Sequence, residues 1–271
     1  MPELPEVETT RRGIAPHLEG RRVTEVRAHN RRLRWPVPRA IGTPLVGQRL
    51  RGIRRRAKYL LLEFERGTLI LHLGMSGSLR ILDCDSPRGP HDHLELCFEG
   101  NRMLRLTDPR RFGAALWTTG EPSRHRLLAS LGPEPLGPDF DGEHLYRKAR
   151  GRRTAIKNLI MDSHVVVGVG NIYASEALFL AGIHPARAAG RISRERLQRL
   201  AEAIRTVLGR AIEAGGTTLQ DFTRADGQPG YFAQELNVYG RENAPCPACA
   251  TPIRRIVLGQ RSTWYCPACQ R

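Results

Sequence analysis

Pro2 and Glu3 offer the first chemistry in this chain. Once Met1 is removed, Pro2 becomes the chain end and carries a secondary amine. Such an amine can attack a sugar carbon and form an iminium. A blander reading competes. Glu3 and Glu6 are acids at the start of a helix, where the dipole favours them, and Pro5 suits a first helical turn. On local grounds alone that second reading is the simpler one.

The strongest single spacing lies at the other end. Cys246-Pro247-Ala248-Cys249 and Cys266-Pro267-Ala268-Cys269 are separated by sixteen residues. Two CxxC pairs at this separation fit a four-thiolate tetrahedral zinc site. Two disulfides are the alternative, disfavoured in a chain with no secretory features. With all four positions taken by protein, the one metal expected, Zn2+, is structural. Between the pairs, residues 253–257 and 262–265 read as a hairpin with Gly259-Gln260-Arg261 at or near its tip. Arg254, Arg255 and Arg261 make it basic. The hairpin is either a finger that sets an arginine on DNA or a folding staple with solvated arginines.

Three weaker signals lie between. Gly168 and Gly170 precede Asn171 at the start of a helix, a place where free N–H groups and the dipole suit a phosphate. Asp108-Pro109-Arg110-Arg111-Phe112-Gly113 joins arginines to an aromatic, which suits a wedge that fills a gap in a base stack. Spacing alone favours a plainer reading there, a strand start with Phe112 in the core, and Met75 in residues 72–77 faces the same ambiguity. Lys58 is one of only three lysines, with Lys148 and Lys157. It could be a nucleophile, a phosphate contact or a solvated charge.

These groups need a scaffold, and the composition bounds it. The 271 residues allow one large domain or two, and a net charge of +16 spread along the whole chain points to a polyanion, most often nucleic acid. Part of the basic character is an arginine-for-lysine bias that carries no functional information. No apolar run approaches the roughly 18 residues of a membrane span. The N-terminus lacks the apolar region of a secretory signal.

Residues 5–18 read as a helix, with Val7, Ile14 and Leu18 on one face and Gly20 as its stop. Residues 22–26 read as a strand. Residues 60–64 with 69–73, and 94–98 with 103–106, read as hairpins, and 112–117 as a further strand. One helix followed by dense strands predicts a β-sandwich or barrel-like first domain. The stretch 131–139 holds three prolines and two glycines and reads as a linker. Helices follow at 143–150, 154–161 and 171–181. The longest is capped by Ser193 and runs to Ala214, with Leu197, Leu200, Ile204, Leu208 and Ala211 on its apolar face. Residues 217–232 read as a loop.

Taken in order, Pro2–Glu8, Lys58-Tyr59-Leu60, His72–Gly77, Asp108–Gly113, Gly170–Tyr173 and the four cysteines resemble bacterial formamidopyrimidine-DNA glycosylase, the 8-oxoguanine repair glycosylase/lyase. The resemblance covers the whole chain. Related endonuclease VIII enzymes carry a glycine where Leu4 stands, so the oxidised-purine branch is the better match. Oxidised pyrimidines as preferred substrate, and a non-catalytic zinc-finger DNA binder, are the competing functions. The intact Pro2-Glu3 pair argues against the binder.

The resemblance implies an α+β multidomain fold: an N-terminal β-sandwich with a leading helix (1–131), a helix–two-turn–helix domain (132–235) and a C-terminal zinc-finger β-hairpin (236–271). It implies Pro2 as nucleophile and Glu3 as general acid, with Lys58 and Arg261 assisting β,δ-elimination. Met75, Arg110 and Phe112 would fill the space left by the flipped base. Lys58, Asn171 and Arg261 would grip phosphates, and His91 and Arg152 would make further DNA contacts. Residues 217–232 resemble the segment that closes over the flipped base. The implied partner is damaged double-stranded DNA, for a monomer in the bacterial cytoplasm, associated with the nucleoid through DNA. One mild departure is Ser163, where the family often has Gln or Asn. Cys84 and Cys97 match no ligand position and read as free thiols.

Overall fold

In the computed structural model, residues 2–216 and 236–271 are described. The chain divides into two compact units, the first built mainly from the residues up to Ala129, the second from Ser130–Glu213 with the C-terminal segment.

The first unit opens with α1 (Leu4–Leu18) and continues through β1 (Val23–Ala28) and a single turn of helix, α2 (Gly42–Leu45). The strands β2 (Leu50–Arg56), β3 (Tyr59–Phe64), β4 (Gly67–His72), β5 (Ser78–Leu82), β6 (Asp92–Phe98), β7 (Arg102–Thr107) and β8 (Ala114–Thr118) follow. They form two antiparallel four-stranded sheets, ordered β1-β6-β7-β5 and β2-β3-β4-β8. Side chains alternate across a strand, so every second residue can face one core. Leu60, Leu62 and Phe64 of β3 and Leu69 and Leu71 of β4 do so from one sheet. Leu94, Leu96 and Phe98 of β6 and Leu104 and Leu106 of β7 do so from the other. Val7, Ile14 and Leu18 of α1 join the same cluster, at the helical spacing expected of one face. Each such fully buried side chain contributes about 1.5–3 kcal/mol. The result is a β-sandwich with its leading helix packed onto it.

Both hairpins have the expected strands, and three further elements go beyond the sequence pattern. β2 reads LRGIRRR and β5 reads SLRIL, and neither shows clean alternation. α2 is a single turn. The strand expected from Phe112 begins at Ala114 instead.

The second unit holds α3 (Gly142–Ala149), α4 (Ile156–Met161), α5 (Asn171–Leu180), α6 (Arg194–Glu213) and the hairpin β9 (Arg254–Leu258) with β10 (Arg261–Tyr265). Ser193 Oγ accepts from the Arg196 N–H at 3.4 Å, and Leu197, Leu200, Ile204, Leu208 and Ala211 are buried along α6. α5 is buried on nearly all sides. Its Glu176 carboxylate is 1 % exposed and accepts the backbone N–H groups of Asn237, Val238 and Tyr239. That charge anchors the approach to the hairpin onto α5. The loop expected over residues 217–232 lies outside the described residues. No helix among the described residues is long and apolar enough to cross a membrane.

Candidate active site and nucleic-acid interface

Pro2 is buried, and Glu3, 3 % exposed, caps α1. The Glu6 side chain reaches back to accept the Glu3 N–H at 2.8 Å. This is a capping box, built with two acids at the positive end of the helix dipole. The cap orders the chain up to its second residue, where an ordinary N-terminus frays. Both readings of Pro2-Glu3 are therefore compatible: the helix start is real, and it also fixes the candidate nucleophile and acid.

Lys58 lies on the two-residue turn between β2 and β3, where Arg56 pairs with Tyr59. Ala57 adopts φ 55 there, and Lys58 is half-buried. The next side chain, Tyr59, packs its ring 4.7 Å from His72. His72 is depressed to about 4 by burial first, then by the charges of Lys58 and Arg34. It is therefore neutral at physiological pH, and its Nδ1 accepts the Gly74 N–H at 2.9 Å.

That bond leads to the loop carrying Met75. The loop is welded to the one carrying Arg110 and Phe112. Gly74 has φ 64, and a Cβ on it would lie 2.4 Å from the carbonyl carbon of Phe112, so only glycine fits. Asp108 is the polar centre of the joint and is fully buried. Its Oδ1 accepts from Ser76 Oγ at 2.8 Å, and its Oδ2 accepts from the Gly113 N–H at 2.8 Å. Ser76 Oγ in turn accepts the Arg110 N–H at 3.1 Å. Phe112 stands 42 % exposed with the Arg110 guanidinium 5.1 Å from its ring centre, and Met75 is half-exposed on the adjoining loop. The core position favoured for Phe112 by spacing alone is thus overturned. The Asp108 carboxylate holds the Gly113 N–H and keeps the segment off the strand until Ala114, so Phe112 projects. His91 is exposed one residue before β6, and its carbonyl accepts the Asp108 N–H at 2.9 Å.

In the second unit Asn171 is the first residue of α5, after Gly168 at φ 81 and Gly170 at the N-cap. Its side chain is not left to solvent alone. Asn171 Oδ1 accepts from Lys157 Nζ at 2.6 Å, and Asn171 Nδ2 donates to the Ser262 carbonyl at 3.0 Å. Lys157 is fully buried and also donates to Thr263 Oγ1 at 2.7 Å. From sequence alone Lys157 is no more than an available lysine. Its place inside α4, among buried apolar neighbours, is the signal that it is a structural cation. It ties Asn171 to β10, whose first residue is Arg261. Arg261 and Arg152 are both exposed.

The four cysteine sulfurs converge. Their ligand atoms all lie within 4.8 Å of one another. Cys246 to Cys269 is 3.9 Å, and Cys249 is 3.4 Å from both Cys266 and Cys269. A disulfide needs about 2.05 Å, whereas tetrahedral zinc with bonds of about 2.3 Å spaces its sulfurs by about 3.8 Å. Without a cation these thiols cannot all ionise: hydrogen bonding from Thr251 favours the Cys249 thiolate, while the hydrogen bond with Cys249 keeps the proton on Cys269. Four thiolates cannot share this space without a cation, and one structural zinc held by Cys246, Cys249, Cys266 and Cys269 supplies it. The hairpin beyond closes with Gly259 and Gln260 at φ 53 and φ 60, a type I′ turn that places Arg261 just past the tip.

The chain matches the formamidopyrimidine-DNA glycosylase N-terminal domain over residues 1–115, the formamidopyrimidine-DNA glycosylase H2TH domain over 131–223, and the zinc finger found in FPG and IleRS over 244–271. It is 63 % identical over 271 residues to the formamidopyrimidine-DNA glycosylase of Thioalkalivibrio sulfidiphilus, covering all of both chains. Among solved structures, a Lactococcus lactis FPG mutant in complex with a Fapy-dG containing DNA superimposes with a TM-score of 0.93 at 33 % identity, covering all of both chains. The MutM (FPG) protein of Thermus thermophilus does so at 0.89 with 40 % identity, over 99 % of this chain and 98 % of that one. By matches over nearly its whole length, the chain belongs to the formamidopyrimidine-DNA glycosylase family.

Proposed function

We propose that this enzyme excises oxidised purines, 8-oxoguanine and formamidopyrimidines among them, from damaged double-stranded DNA and then cuts the strand as an AP lyase. The relatives' shared name and the DNA-bound neighbour support the substrate class. The single observation that carries the DNA-lesion reading is Phe112, a large aromatic 42 % exposed on a loop held by the buried Asp108. An exposed aromatic beside Arg110 and Met75 suits a wedge that enters the stack when a base is flipped out.

In this reading the amine of Pro2, freed by removal of Met1, attacks C1′ of the damaged nucleotide, and the bond to the base breaks. Glu3 protonates the sugar ring oxygen, so the ring opens to an iminium. The iminium acidifies the C2′–H. Loss of that proton expels the 3′ phosphate, and a second elimination expels the 5′ phosphate. Lys58 and Arg261 assist these departures, while Lys58, Asn171, Arg261, His91 and Arg152 hold DNA. Functional segments at 1–131, 132–235 and 236–271 accompany this division of labour. A repair enzyme of this kind acts where the chromosome is, in the cytoplasm on the nucleoid.

Borohydride trapping on an 8-oxoguanine duplex tests the mechanism. The expected product is a covalent adduct mapped to Pro2 and lost in Pro2→Gly. An adduct on Lys58, or one formed at full rate by Pro2→Gly, would sink it. Excision of thymine glycol in strong preference to 8-oxoguanine would move the substrate assignment to oxidised pyrimidines.

A further inference from the structure

The turn that carries Lys58 does not set its own position. Ala57 holds a left-handed φ of 55, which an alanine keeps only when its surroundings enforce it. Its carbonyl accepts from Arg55 Nη1 at 2.9 Å. The Nε of the same guanidinium donates to Glu8 Oε2 at 3.2 Å. Both side chains are 12 % exposed, so the pair is shielded from the solvent screening that weakens surface ion pairs.

Glu8 sits on α1, the helix that Glu3 caps. Other bonds press that helix onto β2. Arg11 Nη1 donates to the Ile53 carbonyl at 3.4 Å, and the Ile53 N–H donates to Glu19 Oε1 at 2.8 Å. Glu8 is already paired with Arg11 and Arg12 at 2.8 and 2.9 Å. Burial would raise its carboxyl, yet hydrogen bonds from Arg11 and Arg12 and the charges of Arg11 and Arg55 hold it below the usual range. A third guanidinium is repelled by the first two, so charge balance does not call for Arg55. What Arg55 adds is a link, because its planar fork reaches a helix with one nitrogen and a turn with another.

We infer that Arg55 is a positioning residue: anchored by Glu8, it holds the Lys58 turn in register with the helix that begins at Pro2-Glu3. It therefore governs how fast elimination follows iminium formation. This rests on the reading of Pro2 as nucleophile and Lys58 as a phosphate-gripping group that assists elimination.

The test uses the full zinc-loaded chain under single turnover on a lesion duplex, and reads two rates: formation of the borohydride-trapped adduct and strand cleavage. Lys58→Ala is the reference and should slow cleavage more than trapping. Arg55→Met should do the same, with the ratio of cleavage to trapping falling on the order of ten- to a hundred-fold, as displacement of a reacting group by about 1 Å does. Arg55→Lys should not restore it, since lysine lacks the planar fork that reaches Glu8 from one nitrogen and Ala57 from another. Glu8→Gln should give a smaller loss of the same kind. Adding it to Arg55→Met should cost nothing more. If Arg55→Met does not fold, the Glu8→Gln and Arg55→Lys ratios decide. A wild-type ratio in the Arg55 and Glu8 variants, with Lys58→Ala impaired, overturns the inference alone, even if melting temperature falls. A wild-type ratio in Lys58→Ala overturns both it and the reading beneath it.

Discussion

Two regions of this protein carry the side chains proposed to meet DNA, and they are held by opposite means. The Met75, Arg110 and Phe112 loops rise from a β-sandwich with a large shared core, fixed by Asp108 and by the glycine contact at Gly74. The finger that presents Arg261 has a small core of its own: Phe179, Val238, Cys246, Ile253 and Cys266, two of them metal ligands. A core that small cannot offset the entropy of ordering the hairpin. One region is thus shaped by packing and hydrogen bonds, the other by a metal. The difference teaches that the same ligand can be met by parts with separate failure modes.

The largest effect should come from removing the metal. Structural zinc in such a segment supplies on the order of 10 kcal/mol of folding free energy. Chelation, or Cys266→Ser, should unfold the hairpin, release protection of the Arg254–Tyr265 amides, and abolish DNA binding measured by anisotropy. The sandwich amides should keep their protection. Binding and cutting at normal rates by the stripped protein would show that the finger is not the metal-dependent part.

A smaller effect is expected at the other region. Asp108→Asn keeps the shape but turns an acceptor facing the Gly113 N–H into a donor or loses the match to Ser76. A buried mismatch of this kind costs about 1–3 kcal/mol. Exchange should rise at the Arg110 and Gly113 amides, and excision should fall most on a fully paired lesion. A lesion opposite an abasic gap, where less stacking must be replaced, should be spared. Equal loss on both substrates would mean that Asp108 serves general stability and not the wedge.

The same contrast explains what could be read from the sequence. The finger was legible because metal ligation demands fixed residue types at fixed spacing, as in the two CxxC pairs. α1, α6 and the hairpins were legible from their apolar periods. β2 was not, because its four arginines interrupt the alternation that marks a strand. It forms by pairing with β3 and by bonds from α1, which are long-range and leave no local trace. Phe112 misled for the reverse reason. A lone aromatic before a strand looks like core, and only the bonds of Asp108 to Ser76 and Gly113, residues distant or separated by a turn, keep it out. The roles of Lys157 and Arg55 were invisible for the same cause: both act through partners far away in the chain, at Thr263 and Glu8.

The smallest effect at neutral pH, and the sharpest separation of the two regions, lies in their acid response. His72 accepts the Gly74 N–H through Nδ1, which requires the neutral ring. Burial, then Lys58 and Arg34, depress it to about 4 from the ordinary 6.5. Between those values the unfolded chain binds more protons than the folded one, so stability rises with pH. The contribution is therefore complete above about 6.5, is lost as pH falls through 4, and changes no further below that. His72→Gln should flatten this part of the sandwich's stability profile while leaving the finger's acid loss in place, since protonation of its thiolates releases the metal independently. The measurement is denaturant unfolding from pH 7.5 to 4, followed by exchange at the Gly74 amide and at the hairpin amides. A wild-type slope in His72→Gln would mean that another group on the sandwich carries the titration, and the wedge would no longer be tied to a neutral histidine.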